Sequence, residues 1–371
     1  GVAMSVLALR PRVTLEVDLG AVTANVRTIK SCTAGELMAV VKADGYGHGQ
    51  VDVARAALAG GATRLGVTSL DEARPLRAAG LSQRILSWLN PVDADFAAAV
   101  GLDIELGVSG LAQLHTIAGT APGARLHLHL DTGMGRDGAE PAQWDRLCRA
   151  ARQAERDGLV RVVGIMGHLP CAARPGHAAN AVGRDRFAWG VQVARAAGLR
   201  PADRHLATTA ATLSDPLAHH TMSRIGAGLV GVDESGTVRL RPALTLTAPL
   251  VSIRRVPAGT PVGYGHTWTA RRATRLGLIP VGYADGLPRL ASGRAEVWVA
   301  GARRPVAGRI CMDMTVIDLG PDTPASVGDP VTVFGPGEHG EPTTAQWAGW
   351  AETIDYEIFT GLNARLYRSS A

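Results

Sequence analysis

From Leu37 to about Ala227 the chain alternates short apolar runs, rich in branched residues, with longer Ala/Leu/Arg stretches of helical period. The apolar runs Leu37–Val41, Arg64–Thr68, Arg84–Ser87, Asp103–Val108, Arg125–Leu130, Arg161–Met166, Asp203–Leu206 and Met222–Ala227 read as strands. Between them, Val51–Ala59, Ser69–Ala79, Pro141–Asp157 and Ala181–Ala197 read as helices closed by glycine-bearing turns. Strands separated by helices pair in parallel, and eight of them predict a (β/α)₈ barrel near the short end of the usual size. One further strand, Thr14–Leu19, would make nine and belongs elsewhere. After Arg241-Pro242 the pattern changes to short strands between Gly/Pro turns: Leu244–Val251, Arg275–Pro280, Glu296–Ala300, Met314–Leu319 and Pro330–Phe334. That is the pattern of an all-β domain. The expected division is a barrel over 14–242, its first strand pairing with the C-terminal part, followed by a β domain over 243–371.

A chain of 371 residues fits this two-domain count, and 46% hydrophobic against 19% charged residues supplies two cores and excludes disorder. The 38 basic and 33 acidic residues are spread along the chain, so nucleic-acid binding is not expected. No apolar run approaches the roughly 20 residues of a membrane helix. Cys32, Cys148, Cys171 and Cys311 are widely spaced, without a Cys-x-x-Cys pair or a signal peptide, which points to a reducing cytoplasm. Gly1-Val2-Ala3 ahead of Met4 reads as a cloning remnant. The informative count is lysine: it occurs only at Lys30 and Lys42, so 36 of the 38 basic side chains are arginine. Chemistry that needs an amine nucleophile has two candidates.

In a (β/α)₈ barrel, function sits where the strands end, so the polar residues after each apolar run carry the candidate chemistry. The first run ends in Val40-Val41-Lys42-Ala43-Asp44-Gly45-Tyr46-Gly47-His48-Gly49 and the fifth in Asp131-Thr132-Gly133-Met134-Gly135-Arg136. Gly167-His168 follows the sixth, Thr208-Thr209 the seventh, and Arg224-Ile225-Gly226-Ala227 closes the eighth. Lys42 leaves a buried strand directly, where an unpaired ammonium is costly, and reads as a Schiff-base lysine. Thr209 and the amides of Gly226 and Ala227 lie where barrels bind phosphate.

The run Val41-Lys42-Ala43-Asp44-Gly45-Tyr46-Gly47-His48-Gly49 resembles the pyridoxal phosphate (PLP) lysine motif of the alanine racemases. Asp131–Gly138, Val262–Trp268, Pro280–Gly286, Gly308–Asp313 and Thr353–Ile358 match the same family, so the resemblance covers nearly the whole chain. It implies an L/D-alanine racemase feeding cell-wall peptidoglycan precursors, and a head-to-tail homodimer with shared active sites. It adds the hydroxyls of Tyr46 and Tyr356 to the phosphate site and makes Arg224 the partner of the pyridine nitrogen, supported by His168 and His205. A guanidinium only donates, so that nitrogen stays unprotonated and the ring is a weaker electron sink, which favours return of a proton to Cα. Racemisation needs a proton carrier on each face of the substrate: Lys42 supplies one, and Tyr264 resembles the partner-subunit tyrosine supplying the other. Arg136 and the Met312 N–H are implied as substrate-carboxylate contacts, with Tyr283 and Asp313 at the entrance. No metal is expected.

Three positions depart from the family pattern. Thr208-Thr209 stands where Asn-Ser is usual, and Met314 where Gln is usual. His129 stands where many members carry a carbamylated lysine that orients the arginine equivalent to Arg136. The expectation is a neutral His129, or an anion or acidic side chain in the carbamate's place. Other readings are a racemase of broader substrate, a PLP-binding barrel without racemase activity, and a metal-dependent hydrolase using His127, His129, His168 and Asp131. The second leaves Tyr264 without a task; the third explains neither Lys42 nor Tyr264.

Overall fold

The computed structural model describes residues 13–363 and 365–370, and the Gly1-Val2-Ala3 segment lies outside them. Eight strands, Glu36–Val40, Arg64–Val67, Arg84–Ser87, Ile104–Val108, Ala124–His129, Val160–Met166, Asp203–His205 and Met222–Ile225, close into a parallel barrel in chain order. These ends fall within a residue or two of the runs read from the sequence, because a barrel strand is covered on both faces and is therefore rich in buried apolar residues. Arg64–Val67 and Ile104–Val108 are buried at every position. Part of the interior is filled conventionally by Met38, Val40, Leu86, Met166 and Met222, with Trp88 against them. The helices Gln50–Gly60, Leu70–Ala78, Pro141–Arg156 and Ala178–Ala196 surround the strands, joined by Leu19–Lys30, Phe96–Gly101 and Leu111–Thr120. Local chemistry sets their starts: the Ser69 side chain accepts the Glu72 N–H, and Pro141 opens its helix where no backbone N–H donor is needed.

The barrel forms one compact unit, Leu19–Arg241, so it begins at Leu19 rather than at residue 14. Thr14–Val17 belongs to the second unit. There it pairs antiparallel with Leu244–Pro249 and parallel with Tyr367–Ser370, in a six-stranded sheet completed by Pro330–Phe334, Glu296–Val299 and Ala302–Pro305. Ser252–Val256, Thr274–Ile279 and Thr315–Asp318 form a second antiparallel sheet. The run Leu244–Val251 therefore outlasts its strand: Leu250 and Val251 connect it to the first strand of the other sheet. The unit also holds two short helices, Thr344–Trp350 and Asp355–Gly361, which the strand pattern does not reveal. The first is tied down by Trp347, whose Nε1–H donates to the Val333 carbonyl at 2.8 Å in the core. Among the described residues no helix is long and apolar enough to cross a membrane.

Candidate active site

Lys42 opens a five-residue turn, Lys42–Tyr46, that winds left-handed. Ala43, Asp44 and Tyr46 have φ of 50°, 55° and 57°, alongside Gly45 at 64°. A left-handed residue other than glycine costs on the order of 1–2 kcal/mol, so a run of four left-handed residues of which three are not glycine needs external support. Glu72 supplies it: its carboxylate accepts the Ala43 N–H at 2.8 Å and the Thr68 N–H and hydroxyl at 2.8 and 2.5 Å. Asp44 Oδ1 accepts the Gln50 N–H, and Gln50 Nε2 donates to the Glu72 carbonyl. Although burial alone would raise it, these donors hold the Glu72 carboxyl below its ordinary value. The turn places the Lys42 ammonium 6.0 Å from the Tyr46 ring centroid. Burial, with the charges of Arg136 and Arg224 next, lowers the Lys42 pKa from that of a free lysine. That is the direction an amine needs if it is to act as a base or nucleophile near neutral pH.

Tyr46 reaches across to the end of the eighth strand. A Cβ on Gly226 would lie 2.1 Å from its hydroxyl oxygen, so only glycine leaves room for the contact. Burial pushes the Tyr46 phenol up to about 12, which keeps it a hydrogen-bond donor. The Thr209 hydroxyl oxygen accepts the Gly228 N–H at 3.0 Å, turning its own proton outward. Thr208 is the residue before the helix Thr209–Ser214, but its side chain makes no capping bond.

Arg224 is 4% exposed, and neutral acceptors hold it in place. Its Nη1 donates to His205 Nδ1 at 2.7 Å and to the His205 carbonyl at 3.1 Å, and its Nη2 donates to the Gly167 carbonyl at 2.5 Å. His168 Nδ1 lies 3.4 Å from Nη2. Burial and then Arg136 lower the Arg224 pKa to about 10, leaving it charged at neutral pH. Burial, with Arg224 and Arg136 next, drives His168 down to about 3, and burial, with Arg224 and His127 next, drives His205 well below its ordinary value, so both rings are neutral. The Thr132 hydroxyl donates to the His168 carbonyl at 2.6 Å and accepts the His168 N–H at 3.0 Å, fixing that backbone.

Arg136 is exposed at the end of the fifth-strand loop, and among the described residues it has no hydrogen bond or ion pair. Asp131 shapes this loop by accepting the N–H groups of Gly133 and Gly135. His129 is buried, and its Nδ1 faces the Asp137 carboxylate at 3.7 Å, an ion-pair distance too long for a direct hydrogen bond. The neighbouring imidazole, ahead of the Gly138 N–H, holds the Asp137 carboxyl at about 2 despite partial burial. An acidic side chain thus faces His129, not Arg136.

The remaining candidates lie in the second unit. Tyr264 is 70% exposed, on a tight turn between Gly263 (φ 79°) and Gly265 (φ 70°). Tyr283 and Met312 are held on adjoining loops: the Tyr283 N–H donates to the Cys311 carbonyl and the Ala284 N–H to the Met312 carbonyl. Gly282 makes that approach possible, since a Cβ there would meet the Cys311 oxygen at 2.2 Å. Asp313 is bonded by Arg365 at 2.7 Å, and Cys311 is half-buried. Tyr356 stands in the first turn of the helix Asp355–Gly361.

Sequence reasoning missed Glu72, Thr132 and Glu105. The first was accessible as the Ser69-x-x-Glu72 spacing of a helix start; Thr132 lies inside the Asp131–Arg136 run but was given no role there, and Glu105 carries no local signal. The hydrolase set is not assembled. His127 faces Glu105 and His205, His168 faces Arg224, and Asp131 caps its own loop. Glu105, His127 and Asp203 do lie close enough to share an ion, but their acidic oxygens already accept from Arg84 and Arg64.

Residues 17–234 match the alanine racemase N-terminal domain and residues 243–370 the alanine racemase C-terminal domain. The chain belongs to the alanine racemase family. It is 47% identical to the alanine racemase of Salinispora tropica, over 93% of this chain and 94% of that one. It is 45% identical to that of Frankia casuarinae, over 95% and 94%. The solved alanine racemase of Streptomyces coelicolor A3(2) superposes with a TM-score of 0.95 at 44% identity, over 97% of this chain and 98% of its own. The structure from Bacillus anthracis with bound L-Ala-P gives 0.89 at 30% identity, over 98% and 95%. Membership of the alanine racemase family makes the chain an enzyme of the isomerase class, built as a closed (β/α)₈ barrel with a C-terminal antiparallel-sheet domain.

Proposed function

We propose that this enzyme interconverts L- and D-alanine with pyridoxal phosphate as cofactor, and so supplies D-alanine for peptidoglycan in the cytoplasm. The single observation that carries the reading is the strained turn that sets Lys42, its pKa lowered, beside Tyr46 in the barrel unit that also holds Arg224. The residues present fit the cofactor. Tyr46, Thr209, Gly226 and Ala227 form a set of hydroxyl and amide donors suited to a phosphate, and Gly226 keeps open the space a Cβ would fill. Arg224, pinned by neutral acceptors, presents a fixed donor to a ring nitrogen, with His168 and His205 behind it. Tyr356 joins the phosphate donors in this reading.

When bound, the cofactor withdraws electrons from the substrate Cα so that its proton can leave. The chain's own residues then govern where that proton goes. Lys42 holds or takes it on one face. Tyr264 of a partner subunit does the same on the other, and its 70% exposure within its own chain leaves its hydroxyl available to a second copy. Arg136 offers a planar fork to the substrate carboxylate with the Met312 N–H, while Tyr283 and Asp313 line the way in. Reduction with borohydride followed by peptide mapping tests the reading. The cofactor should be found on Lys42; attachment to Lys30, or no visible chromophore, would refute it.

A further inference from the structure

Behind Arg224 the barrel interior is polar where such interiors are usually branched and apolar. His205 Nε2 lies 2.9 Å from His127 Nδ1, and His127 Nε2 lies 2.8 Å from Glu105 Oε1. His127 and His205 have no exposed surface and Glu105 only 1%. Arg84 donates to both Glu105 oxygens, at 2.5 and 2.7 Å, and to Asp203, which also receives Arg64. The line therefore crosses the core through the eighth, seventh, fifth and fourth strands.

Only one proton arrangement satisfies every contact. Arg224 can only donate, so His205 Nδ1 must accept and its proton sits on Nε2. That proton points at His127 Nδ1, which must accept in turn, leaving the His127 proton on Nε2 for the Glu105 carboxylate. Read from Glu105 the order is the same, so the two ends agree. A second proton on either ring would set N–H against N–H. Burial would raise the Glu105 carboxyl, but hydrogen bonds from Arg84 and His127 hold it at about 2, so the acid end stays charged. The packing is equally specific: a Cβ on Gly164 would fall 2.2 Å from His127 Nδ1.

Among the described residues Arg224 has no carboxylate in contact. A guanidinium this buried needs compensating charge, and the nearest acid in its hydrogen-bond line is Glu105, two imidazoles away. We propose that Glu105 and His127 are positioning residues for Arg224: through His205 they fix which nitrogen faces the guanidinium and supply the charge missing from its own contacts. This rests on the reading of Arg224 as the donor to the cofactor ring nitrogen.

The test is ¹⁵N spectroscopy of the histidine-labelled holoenzyme, which reports the tautomer and charge of each ring. Wild-type His127 and His205 should both be neutral Nε2–H tautomers from pH 6 to 9, a result that needs no variant to fold. In His127→Phe the Nε2–H of His205 loses its acceptor. Its tautomers should then mix, and kcat should fall by up to about tenfold with KM within about twofold, the scale of one hydrogen bond between neutral groups. A charged ring or the opposite tautomer in wild type would overturn the proposal, as would a folded His127→Phe enzyme with unchanged His205 and unchanged kcat. Absence of cofactor from Lys42 would overturn the functional reading instead, since the wild-type histidine spectrum reads the hydrogen-bond order by itself.

Discussion

Gly226 has an ordinary φ of −115°, so its glycine is required by space and not by backbone geometry. Alanine there would drive its methyl into the Tyr46 hydroxyl at 2.1 Å. Gly226→Ala should fold, at a cost of about 1–3 kcal/mol for overpacking. Its cofactor dissociation constant should rise about tenfold, one displaced donor's worth, in a fluorescence titration of the cofactor-free enzyme. Unchanged affinity would take Tyr46 out of the cofactor site. In the mechanism proposed here Tyr264→Phe removes the carrier on the other face: it should abolish racemisation while leaving the cofactor's visible spectrum intact, because Lys42 and the barrel donors are untouched. Glu105 gives a stability prediction with a definite sign. Its carboxyl in the folded protein lies at about 2, below the roughly 4.3 of an unfolded chain, so its contribution is complete above that value and drains away as pH falls toward 2. The unfolding free energy of wild type, measured by urea denaturation, should therefore exceed that of Glu105→Gln by an amount on the order of 3 kcal/mol at pH 6, narrowing steadily in acid. A gap independent of pH would mean that shape and not charge is at work.

The turn Lys42–Tyr46 shows where an element can be hidden in its own sequence. Lys-Ala-Asp-Gly-Tyr contains one glycine and otherwise reads as a loop or a helix start, yet four of its residues wind left-handed. The conformation is imposed from outside by Glu72, thirty positions further along from Lys42, and no local pattern encodes that contact. The barrel strands are the opposite case. Each is covered on both faces, so most read as short apolar runs even with polar residues such as Glu105 and His127 set in them, and their ends were readable to within a residue or two. Thr344–Trp350 was missed because seven residues are too few to show a period, although the Thr343 and Gln346 capping pair marks its start. Glu105 was missed because one acid in an apolar strand looks like a defect until its histidine and arginine partners are brought opposite it. The prediction at this scale concerns Glu72→Gln. An amide cannot accept from Ala43 and from Thr68 together at both ends, so a hydrogen bond to a strained turn is lost. Stability should fall by about 1–3 kcal/mol in urea denaturation. The Lys42 pKa should also fall further, since the Glu72 charge is what raises it against burial. A variant as stable as wild type would show that the turn holds without Glu72.

At the scale of the whole molecule the question is how many chains build one site. Lys42 and Tyr264 lie in different compact units of the chain, and Tyr264 presents most of its surface to solvent. So do Met312 and Ile354 of the same unit, while Tyr283 and Met314 are more than two-fifths exposed, apolar surface that is open to a partner. In the head-to-tail dimer proposed here, each site takes Lys42 from one chain and Tyr264 from the other. Lys42→Ala and Tyr264→Phe chains are then each inactive as homodimers, because every site lacks one group. A heterodimer differs: one of its sites lacks both groups, but the other receives the native lysine of the Tyr264→Phe chain and the native tyrosine of the Lys42→Ala chain. Random exchange in a two-fold dimer makes half the dimers mixed, so activity should return to about a quarter of the wild-type value per site. If each chain built its own site, every site in the mixture would still lack one group and no activity could appear. Racemisation measured after subunit exchange, with heterodimer formation followed by differently tagged chains, separates the two. Exchange without recovery would place Tyr264 in the site of its own chain, or in none.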